Sequence, residues 1–225
     1  KHTTSTAAGH GNRRRSQIFG HTGKLLTQAS CMNPQSQFGA DVISRIQAAE
    51  QKSNREKLQA LAEEEICKGF ARFRKKLPAE GRLLPVMAAN TTETYLTFGW
   101  NPEELGRAPF TVSQKYGGER KLVGEQVFVF PGMSAFVGGD IAAGVYALDI
   151  VNCKELTLLV DLGTNGEIVL GNADRCIACA TAAGPAFEGG ANKGIWGADM
   201  VSLVATLRRE GLLDETGLLR EPYFE

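Results

Sequence analysis

Apolar residues return every three to five positions at Leu58, Leu61, Ile66, Phe70 and Phe73, which predicts an amphipathic helix. Its polar face carries Glu63, Glu64, Glu65, Arg72 and Arg74, and Pro78 with Gly81 ends it. A shorter helix is expected from about Ala40, ahead of the polar stretch Gln51 to Glu56, with Val42, Ile43 and Ile46 on one face. Upstream, Leu25-Leu26 reads as a short strand followed by a loop through Asn33-Pro34-Gln35. From Leu83 the period shortens: Leu83 to Met87 is a strand weakened by Pro85, and Thr91 to Thr97 a helix capped near Asn90. Gln126 to Phe130 is a stronger strand bounded by Gly124 and Pro131, and Gly138-Gly139-Asp140 opens a small-residue helix to about Leu148. Glu155 to Asp161 and Glu167 to Leu170 form a hairpin around a glycine turn. A last helix runs from Ala198 to Glu210, with Met200, Val204 and Leu207 on one face and Gly211 as its stop. The alternation of strands and helices is that of an α/β protein.

Residues 1 to 24 show neither period; they are rich in Thr, Gly and Ser, carry Arg13-Arg14-Arg15, and read as a basic low-complexity tail without fixed structure. The 225-residue chain holds 25 Lys+Arg against 25 Asp+Glu, so its zero net charge argues against a protein built on phosphate-backbone contacts, and nucleic acid is not expected as a partner. No apolar run approaches the roughly 20 residues of a membrane span, so no membrane is expected and the cytoplasm is the expected compartment. All three histidines (His2, His10, His21) lie in the first 21 residues, which leaves the body of the chain without an imidazole base. The five cysteines are irregularly spaced, and only Cys176 and Cys179 make a C-x-x-C pair. They read as reduced thiols, with no array that matches an iron–sulfur cluster.

Chemistry concentrates in Leu158-Leu159-Val160-Asp161-Leu162-Gly163-Thr164-Asn165-Gly166-Glu167. A strand delivers a carboxylate directly before a turn of two glycines and two small polar residues. Gly163 lets the backbone approach an anion, Thr164 and Asn165 offer donors, and Gly166 can take positive φ to return the chain. Asp161 would act through magnesium or orient an attacking water. The structural alternative stands beside it: Asn-Gly between two β-rich runs is a common hairpin turn, and Asp161 would then only cap it.

Asp161-Leu162-Gly163-Thr164-Asn165-Gly166 resembles a phosphate-binding hairpin of the actin, sugar-kinase and Hsp70-type ATPase superfamily. Further stretches narrow the resemblance to ATP-dependent reductive activators of corrinoid proteins: Asn33-Pro34-Gln35, Phe38-Gly39-Ala40-Asp41-Val42-Ile43-Ser44-Arg45-Ile46 and Asn90-Thr91-Thr92. Leu105-Gly106-Arg107-Ala108-Pro109-Phe110, Ala135-Phe136-Val137-Gly138-Gly139-Asp140 and Thr181-Ala182-Ala183-Gly184-Pro185-Ala186-Phe187-Glu188-Gly189 follow in family order.

The resemblance implies a ribonuclease H-like ATPase fold, here expected to be incomplete at both ends. Residues 25–153 would be a first ASKHA-type subdomain and 154–225 the start of a second. It also implies ATP with magnesium as cofactors, and electron transfer from an iron–sulfur centre, carried by a separate domain, to cobalt(II) of a corrinoid protein. A homodimer is compatible with it. Carried over residue by residue, Asp161, Glu188 and Asp140 are the catalytic candidates, and Asp161 is the metal ligand. Gly163, Thr164, Asn165, Gly166, Gly184, Asn90 and Thr91 are the nucleotide-binding candidates. Asp140 sits at a helix start, where the dipole favours a carboxylate regardless of function, and Asn90 is equally an ordinary helix cap.

The departures are specific. The family's first phosphate hairpin is expected just before Gly23-Lys24-Leu25, where the basic tail stands instead and Thr3-Thr4 has no preceding Asp or Gly. Asn90 follows Ala88-Ala89 in place of a glycine, and only Ala191-Asn192-Lys193 separates Gly190 from Gly194. Two other readings follow: a non-catalytic module that docks a corrinoid protein, and a kinase-like phosphotransferase of the same superfamily.

Overall fold

A computed structural model describes residues 2–10, 13–20, 22–77, 80–114, 116–162, 166–181, 204–214 and 220. The chain divides into two compact units, Lys1–Leu159 with Ile168–Cys179, and Val160–Glu167 with Ala180–Glu225.

The first unit is built on a six-stranded sheet. Its strands are β1 (His2–His10), β2 (Arg13–Phe19), β3 (Leu25–Met32), β4 (Arg82–Ala89), β5 (Gly118–Leu122) and β6 (Glu125–Val129), in the spatial order β3-β2-β1-β4-β6-β5. β1, β4 and β6 run parallel; β2 is antiparallel to both β1 and β3, and β5 to β6. Four helices accompany it: α1 (Val42–Glu50), α2 (Lys52–Arg74), α3 (Thr91–Thr97) and α4 (Gly139–Ala147). The main core gathers Ile46, Met87, Tyr95, Leu105, Tyr116 and Val129 around the sheet. A second cluster packs Val137, Ile141 and Val145 of the α4 region on Val169, and a third packs Ala49 and Leu58 on Leu96.

The basic tail is the main correction. Its residues form β1 and β2, with β1 registered on β2 from Thr4↔Phe19 to His10↔Arg13 and on β4 from His2↔Arg82 to Gly9↔Ala89. Long-range pairing on both sides satisfies a backbone whose side chains signal nothing locally, and Ile18 is 1% exposed. Pairing likewise extends the two-residue strand at Leu25 to eight residues and brings out β5, where no strand was expected.

Local sequence explains the helices. Asp41 and Ser44 form a capping box at the start of α1, and the Asp41 carboxyl is held below its usual range, chiefly by the Ser44 backbone N–H. Ile43 was expected on the core face but is exposed; Arg45, Ile46 and Ala49 are the buried residues of α1. Asn90 caps α3 by accepting from Glu93 N at 2.8 Å.

The strands β7 (Thr157–Leu162), β8 (Gly166–Gly171) and β9 (Cys176–Thr181) form a three-stranded sheet in that order. In the second unit, residues 204–209 are helical, and Arg220 N donates to Leu212 O at 2.9 Å. The remainder of the expected 198–210 helix lies outside the described residues. Among the described residues no helix is long and apolar enough to cross a membrane.

Candidate functional site

Ligands of open α/β sheets bind beyond the carboxyl ends of parallel strands. In the first unit those ends belong to β1, which ends at His10, to β4, which leads to Asn90-Thr91, and to β6, which leads to the loop from Phe130 to Gly138 and then to Asp140 in the first turn of α4. The loop is folded tightly onto the β4 end. Thr91 Oγ1 donates to Ser134 O at 2.6 Å, and Tyr116 Oη donates to Thr91 Oγ1 at 3.1 Å. A Cβ on Gly138 would stand 2.5 Å from Asn90 Cα and 2.6 Å from Thr91 N, so glycine is what allows this approach. Burial pushes the Tyr116 phenol up, and the Asp140 charge adds to the effect, which places Asp140 within electrostatic reach of the same group.

Three predicted residues, Asn90, Thr91 and Asp140, therefore come together in this unit, each in structural employment. Asn90 caps α3, Thr91 is 1% exposed with its hydroxyl used as both donor and acceptor, and Asp140 Oδ1 accepts from Ile141 N at 2.9 Å.

One carboxylate that sequence reasoning passed over organises this region. Glu93, in the first turn of α3, is 4% exposed. It accepts from Arg14 Nη2 at 2.9 Å, from Asn33 Nδ2 at 3.0 Å and from Arg45 Nη1. Arg14 also donates to Gln35 Oε1 at 2.9 Å, while Gln35 Nε2 reaches Leu58 O at 2.8 Å. Three of the stretches that carry the family resemblance, those of Asn33-Pro34-Gln35, Arg45 and Asn90-Thr91-Thr92, are thus joined through one side chain. The available signal was the acid three residues after a cap, yet its partners lie 79, 60 and 48 positions away.

A second polar knot lies in the loop after α3. Burial acts to raise the Glu104 carboxyl, but hydrogen bonds from Ser113 N (2.8 Å), Ser113 Oγ (2.7 Å) and Tyr95 Oη (2.8 Å) outweigh it and hold the group below its usual range. Burial correspondingly pushes the Tyr95 phenol to about 12. An apolar cavity of about 90 Å³ lies between α2 and the sheet, against Ile66, Phe70, Phe73 and Met87, with the free thiol of Cys31 beside Glu65 on its wall.

In the second unit, Asp161 is half-buried near the end of β7, and Gly166 is buried at the start of β8. Gly163, Thr164, Asn165, Gly184 and Glu188 lie outside the described residues. Magnesium takes one or two carboxylates and completes its shell with water and phosphate oxygens. A half-buried carboxylate at a strand end fits that requirement. Among the described residues no group of three or more His, Cys, Asp or Glu side chains gathers into an all-protein metal cage.

Residues 20–152 match the family model described as the RACo middle region, and residues 155–193 match that of the C-terminal domain of RACo, the ASKHA domain. The corrinoid activation enzyme RamQ of Eubacterium limosum is 32% identical over 240 aligned positions, 87% of this chain and 40% of RamQ. The Co(II) methylated amine-specific corrinoid protein reductase of Methanosarcina barkeri is 37% identical over 80 positions, 36% of this chain and 15% of that protein. A solved structure of a reductive activator for a corrinoid, iron-sulfur protein matches with a TM-score of 0.75 at 28% identity, covering 98% of this chain and 42% of its own. The chain thus spans about two fifths of the length of RamQ and of that structure.

Proposed function

The chain belongs to the RACo family of corrinoid reductive activators, with an α/β fold of the actin, sugar-kinase and ASKHA class, and on that premise we propose that it forms the ATPase part of such an activator. In this reading ATP hydrolysis drives one electron from an iron–sulfur centre on another domain to cobalt(II) of a corrinoid protein, giving cobalt(I). The observation that carries it is the match over residues 20–152, whose motif stretches converge on Glu93 beside the carboxyl ends of β4 and β6.

Within the proposal, residues 25–153 are the first ASKHA-type subdomain and 154–225 begin the second. Asp161 holds magnesium, which supplies charge neutralisation to the phosphates when bound. Gly163, Thr164, Asn165, Gly166 and Gly184 are the proposed nucleotide-binding residues of the second unit, and Asn90 and Thr91 those of the first. Glu188 and Asp140 are the carboxylates available to orient a water. The cytoplasm is the compartment that suits reduced thiols and a low-potential electron donor.

The competing reading is a docking module for a corrinoid protein that hydrolyses nothing. What favours it is the hairpin β1–β2: in the strand order it is where a first phosphate clasp would stand, yet residues 1 to 24 contain no carboxylate. A thermal-shift titration separates the two. An ATPase part gains several degrees with Mg-ATP and less with ATP plus a chelator, whereas a docking module shows no nucleotide shift at all.

A further inference from the structure

An apolar space stays open inside the first unit where packing would ordinarily close it. It measures about 90 Å³, lies between α2 and the sheet, and is walled by Ile66, Gly69, Phe70, Phe73, Met87 and Val127. Protein interiors are otherwise close-packed, and an unfilled apolar cavity forfeits contacts that its lining would have made. Gly69 lies on the buried stripe of α2, two turns after Ala62 and one before Phe73. A Cβ built there meets no atom within 4 Å, so neither crowding nor backbone conformation calls for glycine, and a larger side chain would suit the helix better. The chain thus gives up helix propensity and packing at the same point.

The wall selects what can fill the space. Arg14 and Glu93 are joined at 2.9 Å, and Glu65 accepts from Lys68 Nζ at 2.7 Å. Arg15, one residue along β2, sends its side chain to the opposite face of the sheet from Arg14. Cys31 stays a neutral thiol, pushed up chiefly by burial and then by the Glu65 charge. A charged ligand would lose its hydration and find no unpaired partner among the described residues of this wall, whereas a neutral apolar one gains by leaving water. Dry apolar cavities of roughly 150 Å³ take up benzene or xenon. A space of about 90 Å³ suits something smaller than benzene. Cys31 is exposed and also lines the cavity, which leaves a way in.

We infer that the space between α2 and the sheet is a binding site for a neutral apolar molecule smaller than benzene. The inference rests on the packing of the first unit and is independent of the nucleotide reading.

Methyl NMR spectra of the full chain under rising xenon pressure test it, because xenon is uncharged, apolar and known to enter such cavities. Saturable shifts are expected at the methyls of Ile66, Met87 and Val127, with Ile43, exposed on α1, unmoved. Sodium acetate should move none of them. Gly69→Leu places a side chain in the space and should lose the xenon response; if that variant does not fold, the map on the parent decides alone. Lining methyls that do not respond, shifts as large at Ile43, a saturable response to acetate, or a folded Gly69→Leu that responds as the parent does would overturn the inference.

Discussion

Arg14 Nη2 and Glu93 Oε2 lie 2.9 Å apart, joining β2 to the first turn of α3 across 79 positions of sequence. The Glu93 side chain is 6% exposed and shared with Arg45, whose side chain is 1% exposed. Removing a partner from such a cluster leaves uncompensated buried charge, which costs far more than a surface pair is worth.

Glu93→Ala should therefore destabilise the chain by about 3 kcal/mol or more in urea unfolding, the range for stripping one partner from a buried pair. Arg14→Ala should cost less, because Arg45 and Asn33 still satisfy the carboxylate. In a double-mutant cycle the Arg14 effect should largely vanish on the Glu93→Ala background, and full additivity would show that the contact contributes nothing.

Two glycines should respond in opposite directions. Gly138→Ala drives a Cβ into the backbone of Asn90 and Thr91 at 2.5–2.6 Å and should cost about 1–3 kcal/mol, as overpacking does. Gly69→Ala, in α2 with nothing within 4 Å of the added atom, should stabilise by up to about 1 kcal/mol through helix propensity. Thermal melts of the two variants, run side by side, check the contrast.

The Glu104 knot predicts a pH dependence. Its folded carboxyl titrates below its ordinary value of 4.5, so its contribution is present above that value and is lost as pH falls through the lower folded one. Glu104→Gln should be less stable than the parent at neutral pH, and the gap should close as the pH falls through the lowered folded value and the carboxyl loses its charge. A gap of constant size from neutral to acid would assign the effect to packing instead.

How much of this was legible depended on distance along the chain. The α2 periodicity, the Asn90 cap, β6 and the β7–β8 hairpin are written in local patterns, and each appears close to where those patterns set it. The strands β1 and β2 are not, because Thr, Ser, Gly and Arg acquire strand structure here only through pairing with β4 and β3. Ile43 was misplaced because Arg45 takes a core position and rotates the buried face of α1. Asn90, Thr91 and Asp140 were picked by resemblance and do assemble, whereas the carboxylate that joins the surrounding motif stretches, Glu93, needed partners that no local window contains.

The most direct measurement of the central claim is titration calorimetry of Mg-ATP into the purified chain, beside the same titration into Asp161→Asn. A saturable heat is expected for the parent and none for the variant, with both proteins giving the same circular dichroism. No heat for the folded parent, or equal heat from the two, would contradict a phosphate clasp at Asp161.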